Sequence, residues 1–249
     1  MKLTSLTKSI QLIDLLGNHP QGLSLSDISA TLGFPKSTVH HMLQTLLPHE
    51  YVYQFPETKR YGLGYKFLEI SRGILNNIDV RRVAHNHLRT LQEQTKETVQ
   101  LATLRGGRFT YIDKIDASDG LSLVTHIGYS TEPHAAAGGK VLLSEMRVED
   151  ILQIYPDRYL KPYGKNTITR FEDLLKELAR IRKRGYALDD EEYYEGVRCV
   201  AAPIRAGGKI EAALSVTGSI FTMTKERIQS QLIDMAKKTA EKISAELKW

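Results

Sequence analysis

Residues 24–47, SLSDISATLGFPKSTVHHMLQTLL, constrain the fold more than any other stretch of the chain. They read as two short helices broken at Gly33. Leu25, Ile28 and Leu32 give the first helix a packed face, and Val39, Leu43 and Leu46 give the second a buried stripe. Ser24 stands at the N-cap with Asp27 three residues on, which is capping-box spacing. Gly33 permits a sharp turn. Pro35 is tolerated where the second helix opens, because a first-turn amide has no intrahelical partner. Two helices joined this way form a helix-turn-helix, whose second helix enters the DNA major groove.

The flanking segments fit that expectation. Residues 4–17 predict a preceding helix with Leu6, Ile10, Ile13 and Leu16 on one face and Leu12 at its flank, stopped by Gly17 and Pro20. Tyr51, Tyr53 and Phe55 mark a short strand, Pro56 to Lys59 a turn, and Arg60 and Tyr61 the start of a return strand, which makes a small wing. In the second helix of the motif Lys36, Ser37, Thr38, His40, His41 and Gln44 are left for the outside. Hydroxyls near the helix start suit phosphate or base contacts, Gln44 suits an adenine edge, and either histidine can donate to a base or phosphate. Lys59 and Arg60 at the wing tip are phosphate or minor-groove candidates. The blander reading makes all eight ordinary solvated residues.

A chain of 249 residues accommodates two domains. The net charge of +5 suits a nucleic-acid partner, yet residues 1–65 hold five Lys or Arg against four Asp or Glu, a net of +1. Charge alone would not select this segment. Arg72, Arg81 and Arg82 extend the basic face that could meet phosphates. One cysteine, Cys199, excludes an intrachain disulfide and a cysteine-based zinc site. Nothing at the N-terminus resembles a signal peptide, and no run reaches 18 apolar residues, so a soluble cytoplasmic protein without a membrane partner is expected. No cofactor is implied.

Residues 65–78 predict a helix whose Phe67, Leu68, Ile70, Ile74 and Leu75 exceed what a free linker needs; residues 79–97 predict another, with Val80, Val83, His87, Leu88 and Leu91 on one side. Beyond them the pattern becomes mixed. Residues 99–105, 108–116 and 121–127 read as strands, 148–154 and 171–184 as helices, 198–206 and 209–218 as a hairpin around Gly207-Gly208. A long amphipathic helix follows from Thr224, with Ile228, Leu232, Met235, Ala236 and Ile243. Helices beside a largely antiparallel sheet make an α+β sensor-like domain.

The segment His134 to Lys140 is the best ligand-site candidate. Ala135, Ala136 and Ala137 leave space, and Gly138 and Gly139 let backbone N–H groups approach an anion at a helix start. Tight packing of that helix on the sheet explains the same small residues equally well. It is not a P-loop, whose spacing is absent. Asp189, Asp190, Glu191 and Glu192 form an acidic run that is by default a solvated surface; no His cluster accompanies it to make a metal site. Cys199 reads as a buried thiol. A nucleophilic role would need a base, and His134 is the one candidate. Ser215 and Thr217, two apart in a strand, share a face and could point their hydroxyls into the same cavity. Tyr129, Tyr163, Tyr193 and Tyr194 could narrow a pocket toward a sugar-derived or aromatic acid, but twelve tyrosines are too many to assign by pattern.

From Leu6 to Ile243 the chain resembles the IclR family of bacterial transcriptional regulators. FPKSTVHHML, the YGLG of Tyr61–Gly64, PHAAAGGKVLL and above all residues 185–218 carry the resemblance in order and spacing. It implies a winged helix-turn-helix over residues 1–64, a linker helix over 65–79 and a GAF-like effector-binding domain over 80–249. It also implies homodimers through the DNA-binding half that pair into tetramers on double-stranded operator DNA. The implied effectors are small keto, sugar-derived or aromatic acids, held at Ala137, Gly138, Asp189, Cys199, Ser215 and Thr217. Repression is the commoner mode, with activation or both as alternatives. An enzyme using Cys199 and a purely architectural DNA-binding oligomer are the rival expectations.

Overall fold

The computed structural model describes residues 4–76, 79–118 and 125–247. The chain divides into two compact units, 1–77 and 78–249. No helix among the described residues is long and apolar enough to cross a membrane.

In the first unit α1 (Thr4–Gly17), α2 (Leu25–Leu32) and α3 (Lys36–Leu46) pack beside a two-stranded antiparallel wing, β1 (Val52–Gln54) and β2 (Tyr61–Leu63). The capping box is complete: Ser24 Oγ accepts the Asp27 N–H at 3.2 Å, and Asp27 Oδ2 accepts the Ser24 N–H at 3.2 Å. Gly33 closes α2 at φ 67°, a left-handed turn that a β-carbon would strain. Leu12, Leu16, Ile28, Val39, Met42, Leu43, Val52 and Tyr61 form the core. The face of α1 differs from expectation. Leu12 is fully buried, whereas Leu6 and Ile10 are about half exposed. Spacing alone cannot choose between two adjacent stripes of a helix this apolar. Leu23 bridges to Tyr61 through two backbone hydrogen bonds, which anchors the wing to the loop before α2. The next helix, α4 (Lys66–Asn76), groups with this unit, and Phe67 meets Tyr51 edge-on at 5.4 Å. Leu68 and Ile70 on it stay exposed. Nothing is described for the side chains of Ile74 and Leu75.

The second unit is an α+β sandwich. Its sheet contains β3 (Thr98–Arg105), β4 (Arg108–Ile115), β5 (Ser130–Thr131), β6 (Ala187–Asp190), β7 (Val197–Ala206) and β8 (Lys209–Ser219). The spatial order is β5-β4-β3-β8-β7-β6, every pair antiparallel. Strand alternation sorts the side chains into two layers. Val99, Leu101, Val200, Ala202, Ile204, Ala212, Leu214 and Val216 meet α5 (Asp79–Thr95) and α10 (Ile233–Glu246) on one face. Ala102, Phe109, Cys199, Ala201 and Ala213 meet α6 (Ala137–Leu143), α7 (Val148–Ile154) and α8 (Phe171–Arg184) on the other. The terminal helix begins as α9 (Lys225–Arg227) and passes through a π-helical turn at Ile228–Leu232. That turn advances the register by one residue, so Leu232 and Ile233 are both buried.

Of the strand expected over 121–127, residues 121–124 lie outside the described residues and 125–127 are not in a strand. The place beside β4 is taken by β5. Conversely β6 was hidden in the acidic run. Arg81, expected to extend a basic face, turns inward: its Nε donates to the Ile112 carbonyl at 2.9 Å and its guanidinium reaches Asp113 at 3.7 Å.

Ser24→Ala removes one half of the capping box and is expected to cost about 1 kcal/mol, against a few tenths for Ser24→Gly. Urea unfolding of the full chain, read with amide exchange in α2, checks the order of the two variants.

Candidate functional site

On α3 the expected DNA-facing residues emerge on one side, opposite Val39, Met42 and Leu43. Lys36, Ser37, His40, His41 and Gln44 are exposed, and Thr38 is half-buried. Thr38 and His41 also border a groove against α1, so they flank the exposed stripe rather than crown it. At the wing tip Lys59 holds a positive φ of 58° and is exposed. Arg60 is less free than the sequence implied, since its Nη1 donates to the Gly22 carbonyl at 3.3 Å. This ties the wing to the segment before α2.

In the second unit the strand register assembles a different site. Asp189 pairs with Cys199 across β6 and β7, and Cys199 pairs with Thr217 across β7 and β8. In the next row on the same face, Ala201 pairs with Ser215 and Ser215 with Gln100. α6 covers these rows with Ala137 and Gly138. All six residues expected to hold an effector (Ala137, Gly138, Asp189, Cys199, Ser215 and Thr217) border one cavity. Gln100, Phe109, Tyr111, Thr125, Tyr193 and Tyr194 also line it. Of these only the two final tyrosines had drawn notice in the sequence. The remaining space is ≈ 30 Å³, room for about one or two water molecules.

The glycines of α6 are required by packing as well as by access. A β-carbon on Gly139 would lie 2.2 Å from the Pro133 carbonyl oxygen, and one on Gly138 would lie 2.9 Å from the Phe109 ring. Lys140, on the same helix, is 1% exposed, and its ammonium lies 2.5 Å from both carboxylate oxygens of Glu192. Burial nevertheless pushes the Glu192 carboxyl up, against the pull of that ammonium.

The acidic run is thus not a solvated cluster. Asp189 faces the cavity, and its Oδ1 accepts the Glu192 N–H at 2.7 Å. Asp190 points to the other side of β6, where Arg198 Nε donates to it at 2.6 Å and Lys225 lies at 3.1 Å. Glu191 accepts the Gly196 N–H, and Glu192 holds Lys140. Four adjacent carboxylates go to four different environments, and no group of possible metal ligands occurs among the described residues. Desolvation, reinforced by Glu192, pushes the Asp189 carboxyl up to about 7.

Cys199 is not placed as a nucleophile. Burial, with Asp189 beside it, pushes its thiol up to about 12, the opposite of what thiolate chemistry needs. Thr217 Oγ1 sits 3.1 Å from the sulfur and 3.2 Å from Gln100 Oε1, so one hydroxyl serves both neighbours. His134, the one candidate base, is engaged elsewhere. Its Nε2 donates to the Lys161 carbonyl at 2.9 Å, which leaves Nδ1 to accept from the Tyr155 hydroxyl at 3.1 Å. Burial lowers its proton affinity further.

An aromatic cluster contributes two rings to the lining. Tyr163 stacks on Tyr193 at 4.5 Å, and Tyr194 meets Tyr193 edge-on at 4.6 Å. The Tyr193 hydroxyl is 2.9 Å from that of Tyr129 and accepts from Thr131 at 3.0 Å. Tyr129 and Tyr163 therefore back Tyr193 rather than line the cavity.

The profile "Bacterial transcriptional regulator IclR C-terminal" matches residues 72–245, and "IclR helix-turn-helix domain" matches residues 5–56. The HTH-type transcriptional regulator XynR of Escherichia coli is 35% identical over 214 residues, 86% of this chain and 85% of its own. The crystal structure of Thermotoga maritima IclR superposes with a TM-score of 0.81 at 31% identity, over 100% of both chains. An IclR homolog from Microbacterium hydrocarbonoxydans, complexed with 4-hydroxybenzoate, shares the fold with a TM-score of 0.84 at 21% identity, over 97% of this chain and 98% of its own. The relatives are named as regulators or repressors, not enzymes.

A carboxyl that binds its proton more tightly in the fold than in the unfolded chain stabilises at low pH, and that contribution is lost as pH rises. For Asp189 the window runs from about 4 to about 7. Asp189→Asn, whose Oδ1 can still accept the Glu192 N–H, is expected to be more stable than the parent at pH 8. The gain is a few kcal/mol at most, at about 1.4 kcal/mol per tenfold change in proton affinity. The difference should shrink toward pH 5, as read by urea unfolding of both proteins across that range.

Proposed function

Because the chain belongs to the IclR family of bacterial transcriptional regulators, we propose that it is a cytoplasmic repressor whose grip on its operator is set by a small organic acid. It binds double-stranded DNA through α3 and the wing as a homodimer, with two dimers meeting on a palindromic site. Lys36, Ser37, Thr38, His40, His41 and Gln44 contact the major groove and its phosphates, while Lys59 and Arg60 follow the backbone beside it. The acid, in the keto, sugar-derived or aromatic class, occupies the cavity bordered by Ala137, Gly138, Asp189, Cys199, Ser215 and Thr217. The observation that carries this reading is the convergence of those residues, from four separate elements, on one cavity. The ligand held by the Microbacterium homolog is an aromatic acid of that class.

A switch requires that the acid bind the DNA-competent and DNA-incompetent arrangements with different affinity. Operator binding is measured at fixed salt on DNA upstream of its own gene and its neighbours, across keto, hydroxy, sugar-derived and aromatic acids. At least one acid should shift affinity by more than about tenfold, or about 1.4 kcal/mol of coupling. Tight specific binding untouched by every acid would remove the sensor function and leave an architectural DNA-binding protein.

Gln44→Ala should weaken operator binding by about 1–3 kcal/mol and relax preference at one base pair, with little change in binding to unrelated DNA. Equal loss on operator and unrelated DNA would mean that Gln44 touches only the backbone.

A further inference from the structure

Among the described residues, the cavity is lined by hydroxyls, an amide, a thiol and one carboxyl beside Phe109, Val197 and the alanines at the start of α6, and by no basic side chain. Asp189 is 7% exposed and presents that carboxyl to the space between α6 and the sheet. We propose that Asp189 meets a bound carboxylate as a neutral acid, so that the cavity takes up its ligand together with one proton. This rests on the acid-sensor reading and specifies how the acid is recognised.

The charges around Asp189 leave little alternative. On β7 the facing group is the Cys199 thiol, whose proton burial holds more tightly than usual. On β4 it is the Tyr111 phenol, which burial raises well above its ordinary value. The β6–β7 loop contributes Glu192, Tyr193 and Tyr194, another carboxylate and two phenols. β8 and β3 contribute the uncharged Ser215, Thr217 and Gln100. The cation on α6, Lys140, is held by both oxygens of Glu192. From α8, Glu177 is acidic and pairs with Arg180 and Arg184. Arg198 on β7 and Lys225 on α9 are ion-paired to Asp190 on the opposite face of β6, and Lys114 on β4 pairs with Asp116 and donates to the Thr125 carbonyl.

An incoming carboxylate adds a second negative charge to a buried cavity, and the cation on α6 is already balanced by Glu192. Two carboxylates that share such a site cannot both ionise, and they hold one proton between them. Burial and the Glu192 carboxylate already push the Asp189 carboxyl up to about 7. Its O–H therefore donates to a ligand oxygen, while its other oxygen keeps the Glu192 N–H. The proton comes from solvent whenever Asp189 was ionised beforehand. Affinity for an acid then falls as pH rises above about 7. A neutral ligand of the same shape carries no such penalty.

The test uses the full-length protein and three probes, gluconate, pyruvate and 4-hydroxybenzoate, each beside its uncharged primary amide. Dissociation constants are measured calorimetrically from pH 6 to pH 9 in two buffers of different ionisation enthalpy. The acid that binds should lose about a hundredfold in affinity over that range and take up close to one proton at pH 8 to 9. Its amide should show no such loss. Asp189→Asn supplies a permanent neutral donor, so it should flatten the acid's pH profile and bind more tightly than the parent at pH 9. The parent's proton count stands without the variant, should the variant fold poorly. An acid that binds with a flat profile and no proton uptake overturns this inference and leaves the sensor reading intact. Failure of all three acids to bind counts against both.

Discussion

The ammonium of Lys140 and the carboxylate of Glu192 meet where α6, the 163–167 loop and the end of β6 converge, and the cavity beside Asp189 depends on that contact. Lys140 is buried on a helix too short to hold its own position. Glu192 accepts from it with both oxygens, donates its backbone N–H to Asp189, and gives its carbonyl to Gly164 N–H and Thr167 Oγ1. Removing one partner from such a pair typically costs 3–5 kcal/mol (roughly), because a buried charge is left unanswered. The pair therefore sets the distance between the helix that roofs the cavity and the strand that carries Asp189. It also orients the tyrosines at 193 and 194, which follow Glu192 directly in the chain.

The two units place their polar residues by opposite rules. On α3 the polar side chains stand in solvent on a helix whose other face is core, so they are displayed to whatever approaches. In the second unit polar side chains are drawn inside by strand alternation and satisfied by one another: Gln100 bonds Thr125 and Thr217, and Thr217 touches Cys199. A displayed surface suits a large, charged, hydrated partner such as duplex DNA. An internal network suits a small ligand that can replace those bonds one for one.

Much of this was legible in the chain. The capping box, the turn at Gly33 and the buried stripe of α3 follow from local rules, and local rules hold where a motif is short and self-contained. Strand periodicity put Ser215 and Thr217 on one face, and the family resemblance joined them to Ala137, Gly138, Asp189 and Cys199 around one cavity. What escaped was decided by neighbours distant in sequence. Asp189 to Glu192 look like surface by composition, and only pairing with β7 and the arrival of Lys140 bury two of the four. Gln100, Phe109 and Tyr111 face the cavity because of sheet order, which no local pattern encodes. The buried face of α1 and the one-residue offset at Ile228–Leu232 were set by what those helices rest on.

The narrowness of the cavity has a kinetic meaning. With ≈ 30 Å³ free, a ligand of more than a few atoms requires the side chains that line the cavity to move apart. The apparent affinity is then the intrinsic affinity scaled by the fraction of molecules in which the cavity is widened. Substitution at Tyr129, which holds the Tyr193 hydroxyl without bordering the cavity, would alter the concentration at which such a ligand binds and leave the choice of ligand alone. Sensitivity and selectivity are thereby lodged in different residues, and one can drift without the other.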